Sequence, residues 1–194
     1  MAELLTPFLG VDAERYSIAL ISHFGSVGRV VAASEDQITK ATGQRRIAEI
    51  IVGARKLHLA GLCEVLDGKV IHAGDPDLMQ FLASKLCSKT QEIVFAVYLD
   101  GRGVFIRGEE VAFGVQGKVS IHIRSLVGRA IELGAAQLIL AHNHPSGDST
   151  PSGQDLAATT TLVEVAKSLE ISIVDHCIVA GRNIFSMRHA GMLG

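Results

Sequence analysis

Two histidines, a serine and an aspartate stand at a spacing that can do chemistry: His142 and His144, then Ser152 and Asp155, in the order H-x-H-x(7)-S-x-x-D. Residues i and i+2 of an extended segment point to one face, so His142 and His144 can aim both imidazoles at one point. Asp155 adds a carboxylate from the first turn of a following helix. Two neutral imidazoles and a carboxylate make a three-ligand site for zinc and leave its fourth tetrahedral position open to water. Zinc lowers the pKa of a bound water to about 7 and polarises a carbonyl oxygen, so the set suits hydrolysis of an amide bond at neutral pH. Such a reaction also needs a proton carrier and a donor to the oxyanion.

Each piece has an ordinary structural reading as well. His-x-His on its own is a weak sign of metal. Ser152-x-x-Asp155 is also a capping box, which does no more than start a helix. The two readings are compatible, because a helix start also fixes where these side chains sit. The chemical reading gains from the co-occurrence of all four residues on one loop, which carries two prolines and two glycines between His144 and Asp155.

The elements around that loop must hold the four side chains together. Ala136 to His142 (AQLILAH) is a short apolar run of the fully buried strand type, and Leu156 to Leu169 reads as the helix behind the loop. Upstream, Glu92 to Asp100 (EIVFAVYLD) reads as a buried strand, Gly101-Arg102-Gly103 as its hairpin turn, and Val104-Phe105-Ile106 as its partner. Glu109 to Val115 and Lys118 to His122 read as weaker strands. Ser125 to Leu133 is a helix stopped by Gly134, and Ile171 to Ile178 and Asn183 to Ser186 are closing strands. Without a strict βα rhythm, this order predicts an α/β chain of the α+β kind, a mixed β-sheet flanked by helices.

A small all-helical domain is expected to precede the sheet. Ala13 to Phe24 is a helix ended by Gly25, and Ser26 to Val31 is a short one. Ser34-Glu35-Asp36-Gln37 is a capping box, and Arg46 to Leu62 carries an apolar stripe through Ile47, Ile50, Ile51, Ala54 and Leu57. Turn chemistry at Gly74-Asp75-Pro76-Asp77 places the boundary between domains 1–75 and 76–194, with Pro76 opening a helix from Asp77 to Ser88.

The chain is 48% hydrophobic and 20% charged, which suits a globular protein and excludes a disordered one. A net charge of −2 gives no global reason to bind nucleic acid. No run reaches the roughly 18 apolar residues of a membrane span. The segment MAELLTPFLGVDAERY lacks the basic start and apolar core of a secretion signal. Cys63, Cys87 and Cys177 are odd in number and form no CxxC pair, so they are expected as reduced, mostly buried thiols of a cytoplasmic protein.

The spacing H-x-H-x(7)-S-x-x-D matches, without a gap, the JAMM motif of the JAB/MPN metalloprotease superfamily. The wording HNHPSG followed by PS and D resembles its RadC-like branch. The resemblance extends to Glu92-Ile93-Val94-Phe95 with Leu99-Asp100, and to Asp175-His176 and Ser186, so it covers about residues 80–194. It implies a JAB/MPN, cytidine-deaminase-like fold, with His142, His144 and Asp155 as zinc ligands. It also implies Glu92 as general acid and base and Ser152 as donor to the oxyanion. The activity implied is that of a zinc-dependent peptidase or isopeptidase, acting on a protein tail or a ubiquitin-like conjugate. From its own surroundings in the sequence, Glu92 is equally a solvated strand end. Asp175 and His176 are either a pair that orients a ligand by hydrogen bonding or a buried polar pair at a strand end.

Two departures from the branch bear on substrate recognition. Ser125 stands where an acidic residue is usual, and Gly108-Glu109 stands where Gly-Thr is usual. The helical half resembles, more faintly, a helix-hairpin-helix. Its turn at Ala41–Arg46 has one glycine where two expose backbone N–H groups to phosphate, which weakens the case for DNA. Arg45, Arg46, Arg55 and Lys56 read either as a small basic patch or as a solvated helix face. The rival functions are a DNA-associated protein, binding or nuclease, and a non-catalytic scaffold. Too few carboxylates surround the motif for a two-metal nuclease.

Overall fold

The computed structural model describes residues 1–87, 89, 91–113, 122–181 and 183–193. The end of the expected strand 109–115, most of the one at 118–122, and Ser88 lie outside these residues. By packing, the chain divides into two compact units, Met1–Gly61 and Leu62–Gly194.

The first unit is helical throughout: α1 (Ala2–Leu9), a 3-10 turn (Gly10–Asp12), α2 (Ala13–Phe24), α3 (Val27–Ala32), α4 (Glu35–Thr42) and most of α5 (Arg45–Leu66). Gly25 takes φ 82 at the end of α2 and returns its N–H to the Ile21 carbonyl, a left-handed stop that glycine adopts without strain. Ser34 and Gln37 form both bonds of the capping box that starts α4. Leu20, Val30, Ile38, Ile47 and Ile51 make the core. The stripe of α5 differs from the expected one. Ile47, Ala48, Ile51 and Val52 are buried, but Ala54 is exposed and Leu57 is 76% exposed. The helix outruns the small core it packs on, so Ala54 and Leu57 lie past its edge. Two of the four cations of the supposed basic patch are engaged locally. Arg45 pairs with Glu35 and Glu49, and Arg55 donates to the carbonyls of Val31 and Ala33.

The second unit holds α6 (Pro76–Leu86), β1 (Ile93–Leu99), β2 (Phe105–Phe113), α7 (Ile123–Leu133), β3 (Gln137–Asn143), α8 (Gly153–Ser168), β4 (Ser172–Ala180) and β5 (Asn183–Ser186). Leu66 and Ile71 share its core with α6, so packing groups residues 62–75 with the sheet rather than with the helical unit. The sheet runs β2-β1-β3-β4-β5, with β3 and β4 parallel and the other pairs antiparallel. It is the mixed sheet that the order of elements predicts.

β2 is one strand of nine residues where two short ones were expected. Register shifts opposite Val94/Phe95 and Tyr98/Leu99 each absorb an extra residue, and this breaks the alternation that marks a strand in sequence. Phe95, Val97, Leu99, Ile139 and Ala141 face α6, while Val94, Ala96, Tyr98, Leu138 and Leu140 face α7 and α8. Burial on both faces explains why β1 and β3 read as unbroken apolar runs. Cys177 is buried and Cys63 half-buried, but Cys87 is exposed at the end of α6, which corrects the expectation of mostly buried thiols. Among the described residues no helix is long and apolar enough to cross a membrane.

Gly108 keeps the first strand pair close. A Cβ there would stand 2.8 Å from Cε1 and Cζ of Phe95, a buried ring held by Phe81 at 5.7 Å and by the Lys85 ammonium at 5.6 Å. Gly108→Ala is therefore expected to destabilise the chain by about 1–3 kcal/mol in urea unfolding, the usual cost of overpacking. An unchanged midpoint would mean that the ring is free to move aside.

Candidate metal centre

The sheet brings the candidate residues together by register. Val94 pairs with His142, and β1 and β3 run antiparallel, so Glu92 just before β1 comes opposite His144 just after β3. His142 lies on the face covered by α8, whose first turn carries Asp155. The His144 backbone N–H donates to the Val179 carbonyl, which ties the loop to β4. One ligand atom from each of Glu92, His142, His144 and Asp155 lies within 4.8 Å of all the others. The four are partly shielded, with side-chain exposures of 16%, 3%, 14% and 15% in that order.

The donor set fits a tetrahedral cation. Ligands about 2.0–2.1 Å from a tetrahedral zinc sit about 3.3 Å from one another. His142 Nε2 and His144 Nε2 are 3.0 Å apart. Asp155 Oδ1 is 3.3 Å from the first and Oδ2 is 3.5 Å from the second. Glu92 Oε1 stands farther off, at 3.8 Å from His142 Nε2 and 4.0 Å from His144 Nε2. His144 Nδ1 lies 2.7 Å from the Asp148 carbonyl, which can only accept, so Nδ1 carries the hydrogen and Nε2 presents a lone pair. Two facing Nε2 atoms need a proton or a cation between them.

Neighbouring groups fit the same picture. Burial alone would raise the Asp155 carboxyl, but hydrogen bonds to His142 and Ser152 outweigh it and hold the group ionised far below the ordinary range. Burial, followed by the proximity of His142, pushes the His176 pKa down to about 3, so its imidazole is neutral. His176 Nε2 is 2.8 Å from His142 Nδ1, and His176 Nδ1 is 2.6 Å from the Thr159 hydroxyl.

The helix-start and ligand positions of the S-x-x-D segment coexist. Ser152 Oγ accepts from the Asp155 backbone N–H at 3.2 Å, and the Ser152 backbone N–H donates to Asp155 Oδ2 at 2.8 Å. The Ser152 hydroxyl also lies 2.6 Å from Asp155 Oδ2 and donates to it. Asp155 thus completes the capping box of α8 while Oδ1 stays turned toward His142. Asp175 and His176 separate. Asp175 is fully buried and accepts from the backbone N–H groups of His176 and Arg188 and from the Ser186 hydroxyl, so it organises the C-terminal turn and touches no candidate ligand. Only His176 reaches one.

Like Thr159, Asn143, between the two histidines, escaped the sequence reading. Its side chain points to the opposite face, where Oδ1 accepts from the Ile93 N–H at 2.9 Å and Nδ2 donates to the carbonyls of Gln91 at 3.0 Å and Lys89 at 3.2 Å. These three bonds hold the segment that carries Glu92. The only signal was a buried-strand asparagine, which must find partners for four hydrogen-bonding positions.

The chain is similar to known proteins over most of its length. A family model described as a RadC-like JAB domain matches residues 73–192. The chain is similar to a UPF0758 protein of Acidithiobacillus ferrooxidans, 33% identical over 201 residues that cover 98% of this chain and 88% of the relative. It is also similar to UPF0758 proteins of Rhodobacter capsulatus (31%, covering 94% and 86%) and Coxiella burnetii (30%, covering 95% and 83%).

Replacing Asn143 tests the clamp. Asn143→Leu leaves the buried Ile93 N–H without its partner, and a loss of at least about 1–3 kcal/mol is expected in urea unfolding. A midpoint equal to that of the unaltered chain would show that these bonds do not hold the segment before β1.

Proposed function

Because this chain belongs to the RadC-like JAB domain family, we propose that it is a zinc-dependent metallopeptidase or isopeptidase. In this role it cleaves an amide bond in an extended protein tail or a ubiquitin-like conjugate. The observation that carries the proposal is a difference in distance. The two imidazole Nε2 atoms are 3.0 Å apart and the Asp155 carboxylate meets them through Oδ1 at 3.3 Å and Oδ2 at 3.5 Å, whereas Glu92 stands 3.8 and 4.0 Å from the imidazoles. Three groups are spaced as ligands, and one carboxylate stands a step behind them.

Bound there, zinc supplies Lewis acidity toward the carbonyl oxygen and lowers the pKa of a water to about 7. Glu92 accepts the proton as the water oxygen attacks the carbonyl carbon, and it returns that proton to the departing amine nitrogen as the C–N bond breaks. Asn143 keeps Glu92 at its station by holding the backbone on either side of it. Ser152 donates to the oxyanion. Its hydroxyl hydrogen now goes to Asp155 Oδ2, so the hydroxyl must rotate toward the substrate.

An extended substrate has a track beside the site. Among the described residues β2 is the outermost strand on its side of the sheet, and its Phe113 pairs with Ile93, the neighbour of Glu92. A tail that adds to the outer edge of β2 by backbone hydrogen bonds would run to the same end of the sheet as Glu92.

Zinc-loaded full-length chain should cleave fluorogenic peptide or ubiquitin-like substrates. Glu92→Gln should keep about one zinc per chain, as three ligands imply, and lose about 10²–10⁴ in turnover, as removal of an acid–base group does. His144→Ala should lose the zinc itself, read by elemental analysis. Turnover unchanged in zinc-loaded Glu92→Gln would remove Glu92 from the mechanism.

A further inference from the structure

Resting on the proposal that His142 and Asp155 hold the ion, we infer that His176 and Thr159 are positioning residues of a buried relay. The relay reverses its hydrogen-bond direction when the ion is held, and so fixes the bare nitrogen that His142 presents. It runs from His142 Nδ1 to His176 Nε2 at 2.8 Å, from His176 Nδ1 to the Thr159 hydroxyl at 2.6 Å, and from that hydroxyl to the Asp155 carbonyl at 2.6 Å. All three residues are buried, so bulk water does not decide where the hydrogens lie.

Each contact needs one hydrogen and one lone pair, and the hydrogens can run along the chain in either of two orders; without an ion three hydrogens serve four contacts, so one contact goes without. His144 Nε2 is bare, since Nδ1 donates to the Asp148 carbonyl. With no ion, the 3.0 Å contact between His142 Nε2 and His144 Nε2 is satisfied when His142 carries its hydrogen on Nε2. His142 Nδ1 then accepts from His176 Nε2, and His176 Nδ1 accepts from the Thr159 hydroxyl, which gives up its bond to the Asp155 carbonyl in this order. With an ion, His142 Nε2 must be bare. Its hydrogen then sits on Nδ1 and is donated to His176 Nε2. His176 carries its own hydrogen on Nδ1 and donates it to Thr159 Oγ1, and the Thr159 hydroxyl turns to the Asp155 carbonyl.

Both orders carry the same hydrogens, so no proton is gained or lost between them. A hydroxyl at the end is what permits the reversal, because it rotates and both donates and accepts. In the ion-held order the relay also joins the ligand of β3 to the ligand of α8, with β4 supplying the link. Partners that fix the tautomer of a metal-ligating histidine commonly contribute 10- to 100-fold to affinity.

Ring-nitrogen NMR of 15N-histidine-labelled full-length chain, zinc-free and zinc-loaded, tests the reversal. His176 should carry its hydrogen on Nε2 without zinc and on Nδ1 with it. The same tautomer in both samples would overturn the inference. Zinc affinity by chelator competition gives a second arm. Thr159→Val, close to isosteric, deprives His176 Nδ1 of its acceptor and should weaken zinc binding by about 10- to 100-fold, while Thr159→Ser restores it to within about threefold. Full-strength zinc binding by Thr159→Val overturns the relay and leaves the proposed activity standing. No zinc binding by the unaltered chain overturns both.

Discussion

The antiparallel register of β1 on β3 is the constraint on which the site depends. Side chains alternate faces with a period of two, so a slip of one residue would turn Glu92 away from the imidazoles. Nothing at Glu92 itself prevents that slip. The apolar residues of β1 do, because Val94, Ala96 and Tyr98 pack under α7 and α8 while Phe95, Val97 and Leu99 pack under α6. Burying a side chain of this size contributes about 1.5–3 kcal/mol. A displaced register would exchange the two sets and expose mismatched volumes to both layers. The geometry of a few polar atoms is thus held by a much larger apolar preference.

Asp155 shows how one carboxylate serves local structure and chemistry together. A capping residue is fixed in position by the helix it starts, and that fixity is what a ligand needs. Oδ2 takes the Ser152 backbone and hydroxyl donors, while Oδ1 remains turned to His142. The strand His142-Asn143-His144 has a similar economy. Its outer two residues aim at the site, and the middle one, on the opposite face, holds the backbone that carries Glu92.

Legibility in the sequence tracks the range of the interactions. The H-x-H and S-x-x-D segments were legible because their geometry is local: a strand parity and a helix start. The apolar strands were legible because burial on both faces leaves an unbroken run. Glu92 was ambiguous by itself, since its place depends on a partner strand far along the chain, and only the family resemblance singled it out. Thr159 left no trace. It looks like any helix threonine until α8 is laid against β4, where His176 lies 17 residues on. The two readings left open for Asp175 and His176 fall one to each residue, because neighbours on a strand face opposite ways: His176 reaches His142, and Asp175 is a buried polar group of the C-terminal turn. β2 was divided in two by its register shifts, and α5 was given too long an apolar stripe because periodicity does not report where a small core ends.

The three ligand-spaced groups sit on one loop and its two flanks, whereas Glu92 arrives from a distant strand. Closing a short loop costs less entropy than closing a long one, and sheet pairing between remote strands is a slow event in folding. Local contacts can therefore gather these three groups before Glu92 is brought to them. On the proposed reading, hydrolytic competence waits for the folded core, and a half-folded molecule is spared from cutting itself or its neighbours.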